Sequence, residues 1–113
     1  MNIKVVVFAL VMTASMGAQG KSFYTGKWLL EKCDEKYGHR LDACLGYITG
    51  VHDTVATLAH WEGFAEYMCT PKGVTSGQFR LVVMKHLNKH PEELHLNAGG
   101  LVLNALSEAF PCE

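Results

Sequence analysis

Four cysteines constrain the fold of this chain more than any other feature. They lie at Cys33, Cys44, Cys69 and Cys112 in a chain of 113 residues. Their spacing includes no Cys-x-x-Cys pair, which disfavours a zinc site. An even number of cysteines in a short secreted chain predicts two disulfides, formed in an oxidising compartment. We therefore expect a small domain whose hydrophobic core is supplemented by covalent cross-links.

The N-terminal segment, residues 1–20, has the pattern of a secretory signal peptide. A short basic start ending at Lys4 precedes the apolar run VVVFALVM, and small residues follow. Ala18 and Gly20 suit a signal peptidase, which predicts cleavage before Lys21. The apolar run is too short for a comfortable bilayer span. We expect a secreted protein with a single mature domain, 21–113, and no membrane segment.

The charge and the motifs exclude several classes of function. The chain has 10 Lys and Arg against 11 Asp and Glu, and loss of Lys4 with the signal leaves a net charge of about −2. This charge is too close to neutral to indicate binding to nucleic acid or to anionic lipid. The sequence also contains no P-loop, no dinucleotide fingerprint and no G-x-S-x-G motif. We therefore expect no cofactor.

Apolar residues recur at helical spacing along the mature chain and predict four α-helices. The first is expected at 27–36, and the second, which has the longest and most regular pattern, at 41–60. Thr75 and Gln78 form a capping box at the start of the third helix. Pro91 suits the first position of a fourth helix. The expected fold class is all-α, a small disulfide-stapled domain resembling a four-helix bundle.

The predicted helices rank the three connectivities that four cysteines allow. Cys33 falls near the end of the first helix and Cys44 near the start of the second, across a short turn. Cys69 precedes the third helix and Cys112 follows the fourth, so the two meet if these helices are antiparallel. The expected disulfides are Cys33–Cys44 and Cys69–Cys112. The second closes the longer loop and is expected to contribute more, about 3–4 kcal/mol.

His52 and Asp53 form an adjacent pair that could serve hydrolysis or packing. Consecutive helical residues point about 100° apart, so these two side chains are not expected to face each other. Asp53 aligns instead with Gly46 and Gly50, at steps of three and four. This face of small residues is expected to allow close helix packing, with a partner for the carboxylate. We favour this structural role over catalysis because no third group is visibly placed to complete a site.

Three further histidines could be considered as metal ligands. His86 and His90 are one helical turn apart, and His95 is close in sequence. This spacing can present two imidazoles to a metal ion. However, His86 lies within an apolar stripe and the sequence has no HExxH motif. We therefore interpret these residues as histidines at the edge of the core and expect no metal site.

An aromatic loop, WEGFAEYMCTPKG, follows the second predicted helix. It interleaves Trp61, Phe64 and Tyr67 with Glu62 and Glu66. These aromatic residues could simply cap the bundle. They also match the aromatic anchors that are enriched at protein interfaces, and the acidic residues would suit a basic cleft in a partner. Both interpretations are retained.

Five motifs occur in order along the mature chain: WLLEKC, CLGYITGVHD, CTPKGVTSGQF, HLNKHPEEL and ALSEAFPC. In this order and spacing they resemble the Tai/Rap-type immunity proteins of type VI secretion. The resemblance implies an all-helical periplasmic protein that blocks the active site of a peptidoglycan amidase effector and protects the producing cell and its kin. Several members of that family act as homodimers. The residues that match the family motif are Cys33, Cys44, Gly46, Tyr47, Gly50, Asp53, Cys69 and Cys112.

The leading hypothesis is therefore a periplasmic inhibitor with no enzymatic activity of its own. The partner-contacting loops are not part of the family motif, so the choice of 61–67 rests on the residues alone. One alternative is a periplasmic acid-stress chaperone, since six histidines would gain charge below about pH 6. The other is a small hydrolase that uses His52 and Asp53.

Overall fold

The computed structural model describes residues 22–62 and 66–113. Within these residues the only strand-like pairing is an isolated antiparallel bridge between Thr25 and Asn97. The helices are α1 (Gly26–Cys33), α2 (His39–Glu62), α3 (Ser76–Lys89), a short 3-10 helix (Pro91–Glu93) and α4 (Ala98–Ala109). The all-α prediction is confirmed. The predicted signal peptide, 1–20, lies outside the described residues.

The core lies where the four α-helices meet, and each of them contributes buried apolar side chains. Helix α2 is the longest, yet its fully buried residues, Cys44 and Ile48, lie in its first half. Val51 and Val55 are half-buried, and the last turns of α2 extend beyond the core. None of the described helices is long and apolar enough to span a membrane. The other core residues are Leu29, Cys33, Phe79, Val83, Leu87, Ala98, Leu101, Val102, Ala105 and Leu106.

The two disulfides connect the cysteines as predicted. Cys33 and Cys44 are bonded with their Cα atoms 5.0 Å apart, and both are fully buried. Cys69 and Cys112 are bonded with their Cα atoms 4.9 Å apart. Next to this second bond, the Cys69 N–H donates to the Phe110 carbonyl at 2.8 Å. The first disulfide therefore joins α1 to α2 inside the core, and the second holds the segment before α3 against the end of α4.

Helix α3 begins with the predicted capping box. The Thr75 hydroxyl accepts a hydrogen bond from the Gln78 N–H at 3.1 Å, and the Gln78 side chain accepts one from the Thr75 N–H at 3.0 Å. Further along α3, the Arg80 Nε donates to the carbonyl of Cys33 at 2.8 Å. A guanidinium at the carboxyl end of α1 satisfies an otherwise unpaired carbonyl and suits the negative end of the helix dipole. Helix α1 ends at Cys33, short of its predicted end.

The fourth α-helix begins at Ala98, so the predicted start at Pro91 is wrong. Pro91 opens only the 3-10 helix, after which the chain runs beside the start of α1. There the Gly26 N–H donates to the Leu96 carbonyl at 2.9 Å, and the Ala98 N–H donates to the Tyr24 carbonyl at 2.9 Å. These long-range bonds engage backbone groups that a continuous helix would pair internally. The helix therefore forms only after this segment.

Candidate partner-binding surface

The second half of α2 carries large apolar side chains into solvent. Trp61, in the last turn, is 72% exposed, and Leu58, one turn earlier, is 40% exposed. Together they line an open cavity of about 300 Å³ with Asp53, Thr54 and Thr57. Large apolar side chains that remain exposed next to a concave surface are typical of interaction sites.

Tyr67 and Glu66 line a different cavity, of about 370 Å³. Tyr67 is 60% exposed and Glu66 is also exposed. The predicted aromatic residues Trp61 and Tyr67 therefore line two separate cavities along α2 instead of one shared pocket. The remaining residues that line the larger cavity are His52, Val55, Ala56, Ala59, His60 and Met68.

Of the other two residues in the predicted contact set, the structure describes only the backbone of Glu62 and nothing of Phe64. Glu62 is the last residue of α2. Phe64 lies outside the described residues. Contact between a partner and the set formed by Trp61, Glu62, Phe64, Glu66 and Tyr67 stays a prediction.

Gly46 and Gly50 open onto a groove instead of packing against a neighbouring helix. Outside the local helix backbone, no described atom lies within 4 Å of the position that a Cβ would occupy at either residue. The prediction of close packing on this face is therefore wrong within the described chain. The groove has a volume of about 580 Å³, and its other lining residues are Tyr47, Val51, Thr54, Val55, Leu58, Gly99 and Leu103.

An aromatic cluster borders this groove and was missed by the sequence reasoning. The Tyr24 ring stacks on Trp28 with centroids 3.8 Å apart, and Tyr47 meets both rings edge-on at 5.9 and 5.6 Å. The Lys32 ammonium lies 5.8 Å from the centroid of Trp28. The spacing of four residues between Tyr24 and Trp28 could have indicated that the two rings stack. It was not used because Tyr24 lies before α1 and so falls outside the helical pattern.

His52 contacts both Asp53 and Thr70. Its Nδ1 lies 3.4 Å from Asp53 Oδ1, and its Nε2 lies 3.2 Å from Thr70 Oγ1. The prediction that His52 and Asp53 do not face each other is therefore wrong. Their Cβ atoms diverge on the helix, but side-chain rotation brings the ring and the carboxylate together. Asp53 was expected to lie on a packed helix face, but its side chain is 82% exposed.

The chain Thr70–His52–Asp53 has the residue types of a hydrolytic triad but lacks two of its requirements. Asp53 is exposed, so water competes with the imidazole for its carboxylate, whereas a triad aspartate is buried to hold the ring. Pro71 follows Thr70 and has no N–H that could stabilise an oxyanion. We interpret these contacts as a polar connection between α2 and the segment before α3.

Two groups of side chains bring metal-ligating atoms close together. Glu66 lies beside Cys69 and Cys112, with their ligand atoms within 4.8 Å of one another. Both sulfurs belong to a disulfide and offer no thiolate, so this group is a poor metal site. The other group, His90 with Glu92 and Glu93, lies at the corner between α3 and α4.

The sequence model of the Rap1a immunity proteins matches residues 25–112. The chain belongs to this family. The match runs from Thr25, the N-cap of α1, to Cys112 of the second disulfide, so it includes every α-helix described above. Neither the curated proteins nor the solved structures gave a match. Membership of the Rap1a immunity family indicates an immunity protein that acts by binding an effector protein.

Proposed function

We propose that this protein is a periplasmic immunity protein that binds a peptidoglycan amidase effector of type VI secretion and occludes its active site. The observation that carries the proposal is the match to the Rap1a immunity proteins over 25–112, which includes all four α-helices and both disulfides. The secretory pattern of 1–20 supports a site of action outside the cytoplasm. Binding alone protects the cell in this mechanism, so the protein needs no catalytic group.

The surface that we assign to the effector combines the exposed end of α2 with residues 66–67, which follow it in the chain. Trp61 and Tyr67 are large aromatic residues in solvent, the residue types that most often dominate binding energy. Tyr67 lies two residues before Cys69, whose disulfide and backbone bond to Phe110 fix the chain at that point. A segment held in place before binding loses less conformational entropy when it binds. Glu66 supplies a negative charge that suits a basic cleft.

The test of this assignment is a binding assay with protection measured in parallel. Secreted cell-wall amidases of the same organism are purified, and their affinity is measured for the wild type, Trp61→Ala and Tyr67→Ala. Loss of a dominant aromatic anchor is expected to weaken binding by about 30-fold or more. Tyr37→Ala is the matched control, because Tyr37 is 86% exposed but lies in the turn between α1 and α2.

The outcomes separate the function from the surface. Failure of the wild-type protein to bind any secreted cell-wall amidase, together with failure to protect in a killing assay, would contradict the function. Wild-type binding that both aromatic variants retain would instead contradict the assignment of the surface. Equal loss in the Tyr37→Ala control would indicate a general effect on folding.

Homodimerisation, which the family resemblance implies, is part of the same proposal. The groove between α2 and α4 supports it, because Val51, Val55 and Leu103 line it and no described residue fills it. Light scattering across a concentration series measures the oligomeric state. A charged substitution, Leu103→Glu, is expected to shift a dimer that uses this groove towards monomer. A dimer that the substitution leaves unchanged would use another surface.

The acid-stress alternative gains no support from the placement of the histidines. His86 and His90 each lie within 4 Å of glutamate oxygens, and His52 lies 3.4 Å from Asp53. Protonation of these rings would place a cation beside a carboxylate, an attraction that holds side chains together. This arrangement does not provide the loosening at acid pH that a chaperone of that kind would require.

A further inference from the structure

The corner between α3 and α4 collects two imidazoles and three carboxylates. His86 and His90 lie one turn apart on α3, with ring centroids 4.5 Å apart. Glu92 and Glu93 follow in the 3-10 helix, and Glu108 approaches from α4. The ligand atoms of His90, Glu92 and Glu93 all lie within 4.8 Å of one another.

One nitrogen of the buried His86 imidazole has no hydrogen-bond partner in the described chain. The side chain is only 8% exposed, and its Nε2 has no hydrogen-bond partner among residues 22–62 and 66–113. The nearest carboxylate oxygen, Glu93 Oε2, is also buried and unpaired, 3.8 Å away. That distance is too long for a hydrogen bond. Two buried polar atoms that face each other without bonding indicate that a third group belongs between them.

The distances around Glu93 fit a metal ion as that third group. Glu93 Oε2 lies 3.8 Å from His86 Nε2 and also 3.8 Å from His90 Nδ1. In a tetrahedral zinc site with bonds near 2.0–2.1 Å, neighbouring ligand atoms lie about 3.3 Å apart. Glu93 Oε2 therefore needs to approach each of the two nitrogens by only roughly half an ångström. His86 is not among the ligand atoms that already lie within 4.8 Å of one another, so its ring must also turn towards His90 to bind a common ion.

Glu92 is placed to complete the coordination. Its Oε1 lies 3.1 Å from His90 Nδ1, on the same ring nitrogen that faces Glu93. An ionised carboxylate at this distance can exchange its contact with the ring for a bond to the ion.

We propose that His86, His90, Glu93 and Glu92 bind a Zn²⁺ ion at the corner between α3 and α4. Two imidazoles with two carboxylates favour zinc over Mg²⁺ or Ca²⁺, which prefer oxygen ligands alone. Glu108 lies 3.7 Å from the other ring nitrogen of His86, Nδ1. It is therefore placed to accept a hydrogen bond from that nitrogen once Nε2 binds the ion, as carboxylates beside zinc-binding histidines do. The bound ion would join the end of α3 to the 3-10 helix, with Glu108 extending the connection to α4.

The test uses the secreted protein purified without a polyhistidine tag and stripped of metal with EDTA. Titration with ZnCl₂ is followed by calorimetry, and titration with CoCl₂ by visible absorption, which reports tetrahedral coordination. We expect one ion per chain, a tetrahedral Co²⁺ spectrum, and an unfolding midpoint that Zn²⁺ raises and Mg²⁺ does not. His90→Gln and Glu93→Gln are expected to lose the binding, and Glu108→Gln to weaken it about tenfold.

The matched controls are His39→Gln and His60→Gln, because both histidines are exposed and lie on α2. They are expected to bind Zn²⁺ as the wild type does. Absence of saturable Zn²⁺ binding in the wild type would overturn the proposal. Binding that persists unchanged in both His90→Gln and Glu93→Gln would also overturn it. If a variant fails to fold in EDTA, the Co²⁺ spectrum of the wild type tests the proposal instead. A tetrahedral spectrum supports the proposed ligands, and an octahedral spectrum contradicts them.

Discussion

The open face of α2 predicts that two of its glycines can be replaced by alanine with a gain in stability. Gly46 and Gly50 lie inside a long helix, and nothing described would contact an added methyl group at either position. Neither residue has a positive φ, so alanine can adopt the same backbone conformation. The double variant Gly46→Ala, Gly50→Ala therefore changes helix propensity without creating a clash within the described chain.

The magnitude follows from helix propensity. Glycine in a helix interior is less favourable than alanine by about 0.8–1.0 kcal/mol, so two replacements are expected to raise the free energy of unfolding by about 2 kcal/mol. For a domain of this size, 1 kcal/mol corresponds to a shift in Tm of about 4–8 °C, so an increase of roughly 10 °C is expected. Urea and thermal unfolding, followed by circular dichroism at several protein concentrations, measure both quantities.

Gly26→Ala is the matched control, because it is the same substitution at a buried helix position. A Cβ at Gly26 would overlap Leu101 Cδ1 and lie 3.3 Å from the Leu94 Cα. Overpacking of this kind is expected to lower the free energy of unfolding by about 1–3 kcal/mol. The two glycine variants should therefore change stability in opposite directions.

One result would refute this reasoning. If the double variant is no more stable than the wild type even at the lowest protein concentration, the face of Gly46 and Gly50 is packed within a single chain. A gain in stability that disappears as the concentration rises would show instead that a second copy covers the face. In either case, effector binding by the stabilised variant reports whether the partner also uses the groove.

Three further predictions concern the scaffold. Arg80→Met removes the charged donor to the last carbonyl of α1, so it is expected to lower the free energy of unfolding in urea by about 1.5–3 kcal/mol. Lys85→Met, at an exposed position of α3, is the control and should have little effect. Replacing Cys69 and Cys112 together by serine removes a disulfide that spans a sequence separation of 43. The free energy of unfolding is expected to fall by about 4 kcal/mol, because the unfolded chain regains the entropy of the closed loop. A decrease below about 1 kcal/mol would contradict this account. Thr75→Ala breaks the capping box and should lower the free energy of unfolding by about 1 kcal/mol in urea denaturation.

The features that were predictable from the sequence depend on residues close together in the chain. The regular spacing from Cys44 onwards identified α2, and Thr75 with Gln78 identified the start of α3. The disulfides followed because their cysteines lie at predicted helix ends. The start of α4 was missed because it depends on two backbone hydrogen bonds to residues far away in the sequence, one donated by the Gly26 N–H and one accepted by the Tyr24 carbonyl.

The surface could not be predicted in the same way. The line formed by Gly46 and Gly50 is compatible both with close helix packing and with an open groove, and only the positions of the other helices distinguish them. The contact between His52 and Asp53 depends on side-chain rotation and on Thr70, a residue from another segment. The unpaired Nε2 atom of His86 likewise depends on the folded chain, because its nearest carboxylate comes from the 3-10 helix.

The connectivity of the cysteines has a consequence for how the chain matures. Each disulfide joins two cysteines that are consecutive in the sequence, Cys33 with Cys44 and Cys69 with Cys112. In the export that we propose, the N-terminus crosses the membrane first, so the first pair arrives before the third cysteine and the second pair is completed last. An oxidase that links cysteines in their order of arrival would therefore give the native pattern directly. We expect maturation to proceed without a disulfide isomerase.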